Sequence, residues 1–257
     1  MKTIHHIIQK AIEEKSSQLE LFNMGLTHLP DEIQQLTDLK AIYLENNQFT
    51  EIPEVVTHLP NLEILSLEYN QVASLPAQIG YLKGLKKLNL ADNDIENLSE
   101  TIGSFFNLEM LDLRVNRLSQ LPPSIGQLKN LEILYLGRNE FKEIPEVLKQ
   151  LVQLKDLGLG GNQIEIIPQW FFVLKNLKIL SFGRNLISEL PDEMASLESL
   201  EHLILRDNQL NRFPLILQKL PQLSLLDLRA NGFPNINNVL NHVHSPDDII
   251  RSYTTVK

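Results

Sequence analysis

Leu108-Glu-Met-Leu111-Asp-Leu113-Arg-Val-Asn116-Arg-Leu118-Ser-Gln-Leu121-Pro122 is the stretch on which the reading of this chain turns. Its pattern is Leu-x-x-Leu-x-Leu-x-x-Asn-x-Leu-x-x-Leu-Pro. The pattern reopens at Leu39, Leu62, Leu85, Leu108, Leu131, Leu154, Leu177, Leu200 and Leu223, a step of 23 residues without an insertion. A fixed step of this size marks a chain that winds, each turn burying its apolar side only against the turns before and after it.

With the opening leucine counted as position 1, each column of the repeat has its own chemistry. Strand leucines such as Leu62, Leu65 and Leu67 point inward, as do Val72, Leu75, Ile79 and Leu82. Burying one such side chain contributes roughly 1.5–3 kcal/mol. Asparagine holds position 9 at Asn47, Asn70, Asn93, Asn116, Asn139, Asn162, Asn185, Asn208 and Asn231. Its amide both donates and accepts, which suits backbone groups left unpaired where the chain bends out of a strand. These nine residues therefore read as structural. The prolines at 30, 53, 76, 122, 145, 168, 191 and 214, with Ser99 once in their place, set an extended path into the return segment. Return segments such as Ala77-Gln-Ile-Gly-Tyr-Leu82 read as short helical turns. The columns together read as an α/β solenoid, one strand and one short helical turn to each coil.

Both ends depart from the pattern. Ile4, Ile7, Ile8, Ala11 and Ile12 fall at helical spacing, so residues 1–15 are expected to form a helical cap over the first coil. A degenerate coil follows, with Leu19 and Leu21 in place but Ser16 and Met24 at positions 1 and 9. About ten repeats span 16–231. Ile236, Val239, Leu240 and Val243, then the Ser245-Pro246-Asp247-Asp248 helix start before Ile249, Ile250 and Tyr253, make 232–257 a C-terminal helical cap. The expectation is one domain over 1–257.

Composition bounds the function. The net charge of −9 argues against nucleic acid and anionic membrane as partners. Residues 1–128 hold 9 Lys/Arg against 17 Asp/Glu and the remainder 14 against 15, so the first half is the acidic one. The absence of cysteine suits a reducing compartment. The N-terminus lacks a Sec-type signal and no segment has the apolar length of a membrane span, so the expected location is cytoplasmic, with export by another route as the alternative.

The phrase Leu-x-x-Leu-x-Leu-x-x-Asn-x-Φ-x-x-Leu-Pro-x-x-Ile-Gly-x-Leu-x-x, complete at Leu62–Gly84 and Leu108–Asn130, resembles the 23-residue subclass of leucine-rich repeats. Similar repeats occur in bacterial, notably leptospiral, proteins, in Roco-type GTPases, and in Ras-suppressor and Scribble-type scaffolds. The resemblance covers roughly residues 16–235 and leaves no room for a GTPase or PDZ module. It implies a horseshoe with a parallel β-sheet on the concave side and short helical turns on the convex side, binding another macromolecule through its concave face. It also implies either a bacterial cytoplasmic scaffold or a host-directed, virulence-associated effector.

Specificity then belongs to the strand positions that carry no packing duty, because side chains alternate between faces. Position 5 reads Tyr43, Ser66, Asn89, Asp112, Tyr135, Gly158, Ser181, Ile204, Asp227; position 7 reads Glu45, Glu68, Ala91, Arg114, Gly137, Gly160, Gly183, Arg206, Arg229; position 8 reads Asn46, Tyr69, Asp92, Val115, Arg138, Gly161, Arg184, Asp207, Ala230. Tyr43, Glu45, Glu68, Tyr69 and Asp92 form an acidic and aromatic patch. Arg114, Arg138, Arg184, Arg206 and Arg229, with Tyr135, flank Gly158 and Gly160, where missing side chains suggest a trench of bare backbone. The expected partner is a protein or peptide lying across this face, its acids on the arginines. The other reading of the same residues is that the arginines balance Glu109, Asp112, Asp207 and Asp227 and that the glycines have no role.

Trp170-Phe171-Phe172 places Phe171 in a buried column and Trp170 and Phe172 where other repeats have Gln78, Ser124, Gly80 or Gly126. An exposed Trp170/Phe172 pair, or the array ends, would make a self-associating structural protein, the alternative to a monomeric binding module; the other reading of the pair is that both fold down onto neighbouring return segments such as Val147. No catalytic site, metal site or cofactor is expected. Cysteine is absent, no phosphate loop or Gly-x-Ser-x-Gly elbow occurs, and His5, His6, His28, His58, His202, His242 and His244 are scattered.

Overall fold

The computed structural model describes residues 4–233 together with Pro246. Apart from Pro246, the residues expected to form the C-terminal cap, from Ile236 to Tyr253, lie outside the described residues, as do His242 and His244. The chain divides into two compact units, Met1–Leu131 and Glu132–Lys257.

The first unit opens with helix α1, Ile4–Glu13. Ile8 and Ala11 are buried, and the helix packs against the first return turn, Asp31–Gln35. The expected N-terminal cap is therefore present. Five strands follow: β1 Gln18–Glu20, β2 Ala41–Tyr43, β3 Ile64–Ser66, β4 Lys87–Asn89 and β5 Met110–Asp112. They pair in parallel in chain order, each residue facing the one 23 further on. The second unit repeats the arrangement with β6 Ile133–Tyr135, β7 Asp156–Gly158, β8 Ile179–Ser181, β9 His202–Ile204 and β10 Leu225–Asp227. The register equals the sequence period, so every column becomes a row of like positions.

Return segments are five-residue 3-10 turns, from Asp31–Gln35 to Leu215–Lys219. Proline precedes each one except Glu100–Ser104, where the Ser99 hydroxyl accepts a bond from Thr101 N–H at 3.3 Å. One residue type thus replaces another by supplying a cap where proline supplies a fixed φ. Gly103 in this turn has no room for a side chain, since a Cβ there would stand 2.7 Å from the Ser124 carbonyl oxygen.

The asparagines fasten coil to coil. Asn47 Nδ2 donates to Leu44 O in its own coil at 2.9 Å and to Leu21 O in the previous coil at 2.8 Å. Its Oδ1 accepts from Met24 N and Leu26 N, at 3.1 and 3.0 Å. The first coil lacks its own asparagine and is tied by the second coil's. A further asparagine row stands just before the opening leucine. Asn61, Asn107, Asn130 and Asn176 donate to the carbonyls of Thr37, Lys83, Phe106 and Val152 at 2.8–2.9 Å.

The core of each unit is the stack of leucine columns, with larger side chains in register with them. Phe171 is fully buried against Phe182, ring centroids 5.6 Å apart, and Phe172 meets Phe171 edge-on at 5.9 Å. Of the two readings of Trp170 and Phe172, this is the one in which the side chains fold down onto the return segments, and Phe172 follows it. Phe172 is only 5% exposed, its ring edge-on to Phe171, and Trp170 is half-buried. Phe172 is therefore not available to the convex patch of the self-associating alternative.

A charged row runs along position 2. Lys86 Nζ lies 2.7 Å and Lys40 Nζ 3.4 Å from the Glu63 carboxylate, while Lys155 pairs with Glu132 and Lys178 with Glu201 at 2.6 and 2.8 Å. The hydrogen bond from Lys86, then that from Lys40, holds Glu63 below the ordinary carboxylate value of 4.5. A lowered folded pKa stabilises the fold above the unfolded value, and that contribution is lost as pH falls through the folded one. Thermal melts of Glu63→Gln should therefore lie below wild type at pH 7 and converge with it below about pH 4.5. A difference that persisted unchanged at pH 3 would show that Glu63 acts other than through its charge.

Candidate functional site

Three positions per coil compose the outer surface of each sheet, the face expected to be concave. Positions 5 and 7 interlock along the row, position 7 of one coil lying beside position 5 of the next. Asn89 Nδ2 donates to Glu68 Oε2 at 2.9 Å across this step. Position 8 behaves differently from the alternation argument. Asn46, Tyr69, Asp92, Val115, Arg138, Arg184, Asp207 and Ala230 all have positive φ, between 52° and 59°. They occupy the left-handed turn that swings the chain from the strand into the ladder asparagine, and are not strand residues. Gly161 holds the same position at φ 74°, so its glycine suits the backbone.

In the first unit the face carries Glu20 and Phe22 on coil one, Tyr43 and Glu45 on coil two, Ser66, Glu68 and Tyr69 on coil three, and Asn89 and Asp92 on coil four. The structure brings the expected Tyr43, Glu45, Glu68 and Tyr69 onto neighbouring coils. Tyr69 is 56% and Phe22 46% exposed. Phe22, Glu20, Ser66 and Asn89 were missed as site residues; reading positions 5 and 7 one coil further back finds the first two. Arg114 does not join an arginine row here. Its guanidinium grips Asp112, with Nη2 2.5 Å from Oδ2, and the Asp112 side chain is 1% exposed. Asp112 ends β5 and Arg114 stands two residues on, where the alternation of the strand still sets both on one side, and the pair forms.

In the second unit Tyr135 leans along the row and its hydroxyl donates to Asp156 Oδ2 at 2.6 Å. A Cβ on Gly158 would come within 3.1 Å of the Tyr135 ring, and one on Gly160 within 2.9 Å of the Gly183 carbonyl oxygen. These glycines permit close approach between coils, so neither an open trench nor an absent role describes them; Tyr135 lies over the strand at Gly158. The arginines divide. Arg229 holds Asp227 through Nε and Nη2 at 2.8 and 2.7 Å. Burial raises the Asp227 pKa, but the Arg229 bonds outweigh burial and leave it lowered. Arg184 Nε stands 3.5 Å from Asp207. Arg138 and Arg206 are exposed and form no ion pair among the described residues. No group of three or more His, Asp or Glu among the described residues is placed to hold a metal ion. No helix among them is long and apolar enough to cross a membrane.

A family model for the leucine-rich repeat region matches residues 78–163, and a second leucine-rich repeat model matches 17–72 and 165–210. The chain belongs to the leucine-rich repeat proteins. No curated protein matches it directly. Among solved structures, the ectodomain of the plant receptor kinase GASSHO1/SCHENGEN3 of Arabidopsis thaliana, in complex with CASPARIAN STRIP INTEGRITY FACTOR 2, is 31% identical over 84% of this chain and 27% of that one, with a TM-score of 0.70. A TLR13 complex with single-stranded RNA is 28% identical over 88% of this chain and 34% of that one, at 0.75. A leucine-rich repeat protein of Leptospira interrogans is 27% identical over 90% of this chain and 82% of that one, at 0.45. This leucine-rich repeat chain thus spans about a third or less of the two receptor chains. Repeats of this family commonly serve as protein–protein interaction modules.

Proposed function

We propose that this leucine-rich repeat protein is a non-enzymatic module that binds a polypeptide across the strand face of residues 133–229. Acidic residues of the partner meet Arg138 and Arg206. One observation carries the reading: on a face where Arg184 and Arg229 form ion pairs, Arg138 and Arg206 stand exposed without one among the described residues, Arg206 feeling only the charge of Asp227, which Arg229 already holds. Arginine offers five donors in a planar fork suited to carboxylate, and exposed arginine beside tyrosine is a composition typical of binding hot spots. The GASSHO1/SCHENGEN3 ectodomain, similar over most of this chain, is in complex with CASPARIAN STRIP INTEGRITY FACTOR 2, which supports a polypeptide as the ligand class. The TLR13 likeness brings RNA into view, but a net charge of −9 opposes a polyanion. The test is capture of partners from the native organism by wild type and by Arg138→Glu/Arg206→Glu. Reversal at both sites is expected to abolish capture, while Arg229→Glu, already neutralised by Asp227, weakens it less. Undiminished capture by the double variant would remove this face as the site.

A further inference from the structure

We infer that the strand face of the first unit holds a second site, for a lysine or arginine side chain carried by an extended segment of a partner polypeptide. It rests on different residues from the arginine face and stands without it.

The site is defined by a row step that is left unfinished. Glu68 and Asn89 are 21 residues apart, on adjoining coils, and their side chains bond at 2.9 Å. Glu45 and Ser66 stand in the same relation one coil earlier, and serine is too short to make the corresponding bond. Ser66 is 4% exposed and its Oγ has no hydrogen-bond partner; Glu45 Oε2 is buried and has none either. A buried polar atom without a partner is costly and uncommon in folded proteins. Here two of them lie at neighbouring row positions beneath the surface of the strand face. An ammonium or guanidinium group is all donor and satisfies both, since a carboxylate oxygen only accepts and a hydroxyl oxygen accepts as well.

The surroundings select the same charge. Glu20, Glu45 and Glu68 form no ion pair among the described residues, whereas Asp112 and Asp227, at the same position 5 as Glu20, are each matched by arginine. Two cations share the face: Lys87 on β4 and Arg114, which Asp112 holds. Tyr43 stands at position 5 between Phe22 and Glu45, and Tyr69 is exposed at the turn of the next coil. Aromatic faces attract cations, so the row offers rings as well as carboxylates to a basic side chain. A metal ion is a poor occupant, because the described acids form no cluster of three or more placed to hold one. The parallel rows, repeated coil after coil, suit an extended chain with basic residues at intervals.

Fluorescence anisotropy with the full chain tests this, using a labelled Gly-Arg-Gly-Lys-Gly-Arg-Gly peptide and its counterpart with citrulline and acetyl-lysine at the charged positions. The cationic peptide is expected to bind about tenfold or more tightly than the neutral one, as for hydrogen bonds to charged groups. Glu45→Gln, which keeps size and removes charge, should weaken binding by a similar factor, and Ser66→Ala should weaken it severalfold. Glu165→Gln, an exposed acid of the other unit, should leave it unchanged. Thermal melts guard against misfolding: Ser66→Ala removes an orphaned hydroxyl and should melt no lower than wild type. Equal binding of the two peptides, or equal loss in Glu45→Gln and Glu165→Gln, would overturn the site. Displacement by equimolar spermidine would assign it to a free polyamine and overturn the polypeptide.

Discussion

Replacing Asn93 by alanine is expected to cost roughly 3–5 kcal/mol of stability. The figure follows from where the amide's bonds go. Asn93 Oδ1 accepts from Val72 N–H at 2.8 Å, and Nδ2 donates to Leu67 O, Leu90 O and Ala91 O at 2.9, 3.2 and 3.0 Å. The side chain is 8% exposed, so solvent replaces little of this. Alanine strands the Val72 N–H outright, which costs about 1–3 kcal/mol for a buried donor. The carbonyls fare better. Leu67 O keeps the amide of Asn70 and Leu90 O keeps that of Asn116, at 3.0 and 2.9 Å, because successive asparagines share acceptors. Their loss is the net worth of an ordinary hydrogen bond, about 0.5–1.5 kcal/mol each. Asn93→Asp keeps the acceptor for Val72 but sets a carboxylate against three carbonyl oxygens, and at neutral pH it is expected to be no milder than alanine. Urea unfolding measures both. A loss under about 0.5 kcal/mol, the range of an unremarkable surface substitution, would mean that the row does not fasten the coils.

That row was legible in the sequence because it demands one residue type at one spacing, and only an amide meets the demand. The leucine columns were legible for the same reason, and so was the parallel register, which is the period itself. The left-handed turn at position 8 was not. Tyr69, Val115 and Arg138 give no sign of positive φ, and the backbone imposes it on whatever residue stands there. Asn46, Asp92, Asp207 and Gly161, types that adopt this conformation more readily, were the hint. The glycines misled for a related reason. A missing side chain reads equally as a groove or as an approach of two chains, and the Gly160–Gly183 approach that separates these readings lies 23 residues away in sequence. The arginines needed distances. Asp112-x-Arg114 and Asp227-x-Arg229 pair across the end of a strand at a spacing of two and are readable by alternation, whereas the exposure of Arg138 and Arg206 emerges only once their neighbours are placed.

Phe171→Ala is expected to cost about 3–5 kcal/mol, the range for removing a fully buried aromatic ring and leaving a cavity. Phe171 has no exposed surface and its ring lies 5.6 Å from Phe182, 5.9 Å from Phe172 and 6.0 Å from Trp170. Phe171→Leu keeps most of the volume and should cost well under half as much. The location of the loss is the more telling outcome. In a stack of repeats each coil is held only by its neighbours, so a defect lowers the cost of opening those coils first. Phe171 lies in the return turn between β7 and β8, and Phe182 directly follows β8. Amide hydrogen exchange should therefore accelerate in Asp156–Gly158 and Ile179–Ser181 before it does in Leu225–Asp227, and the urea transition should broaden as two-state behaviour fails. Uniform acceleration across all five strands of the unit would show instead that coils 133–227 open as one cooperative body. The energetic range of the defect would then be the whole unit, and the strand face carrying Arg138 and Arg206 would be lost or kept as a piece.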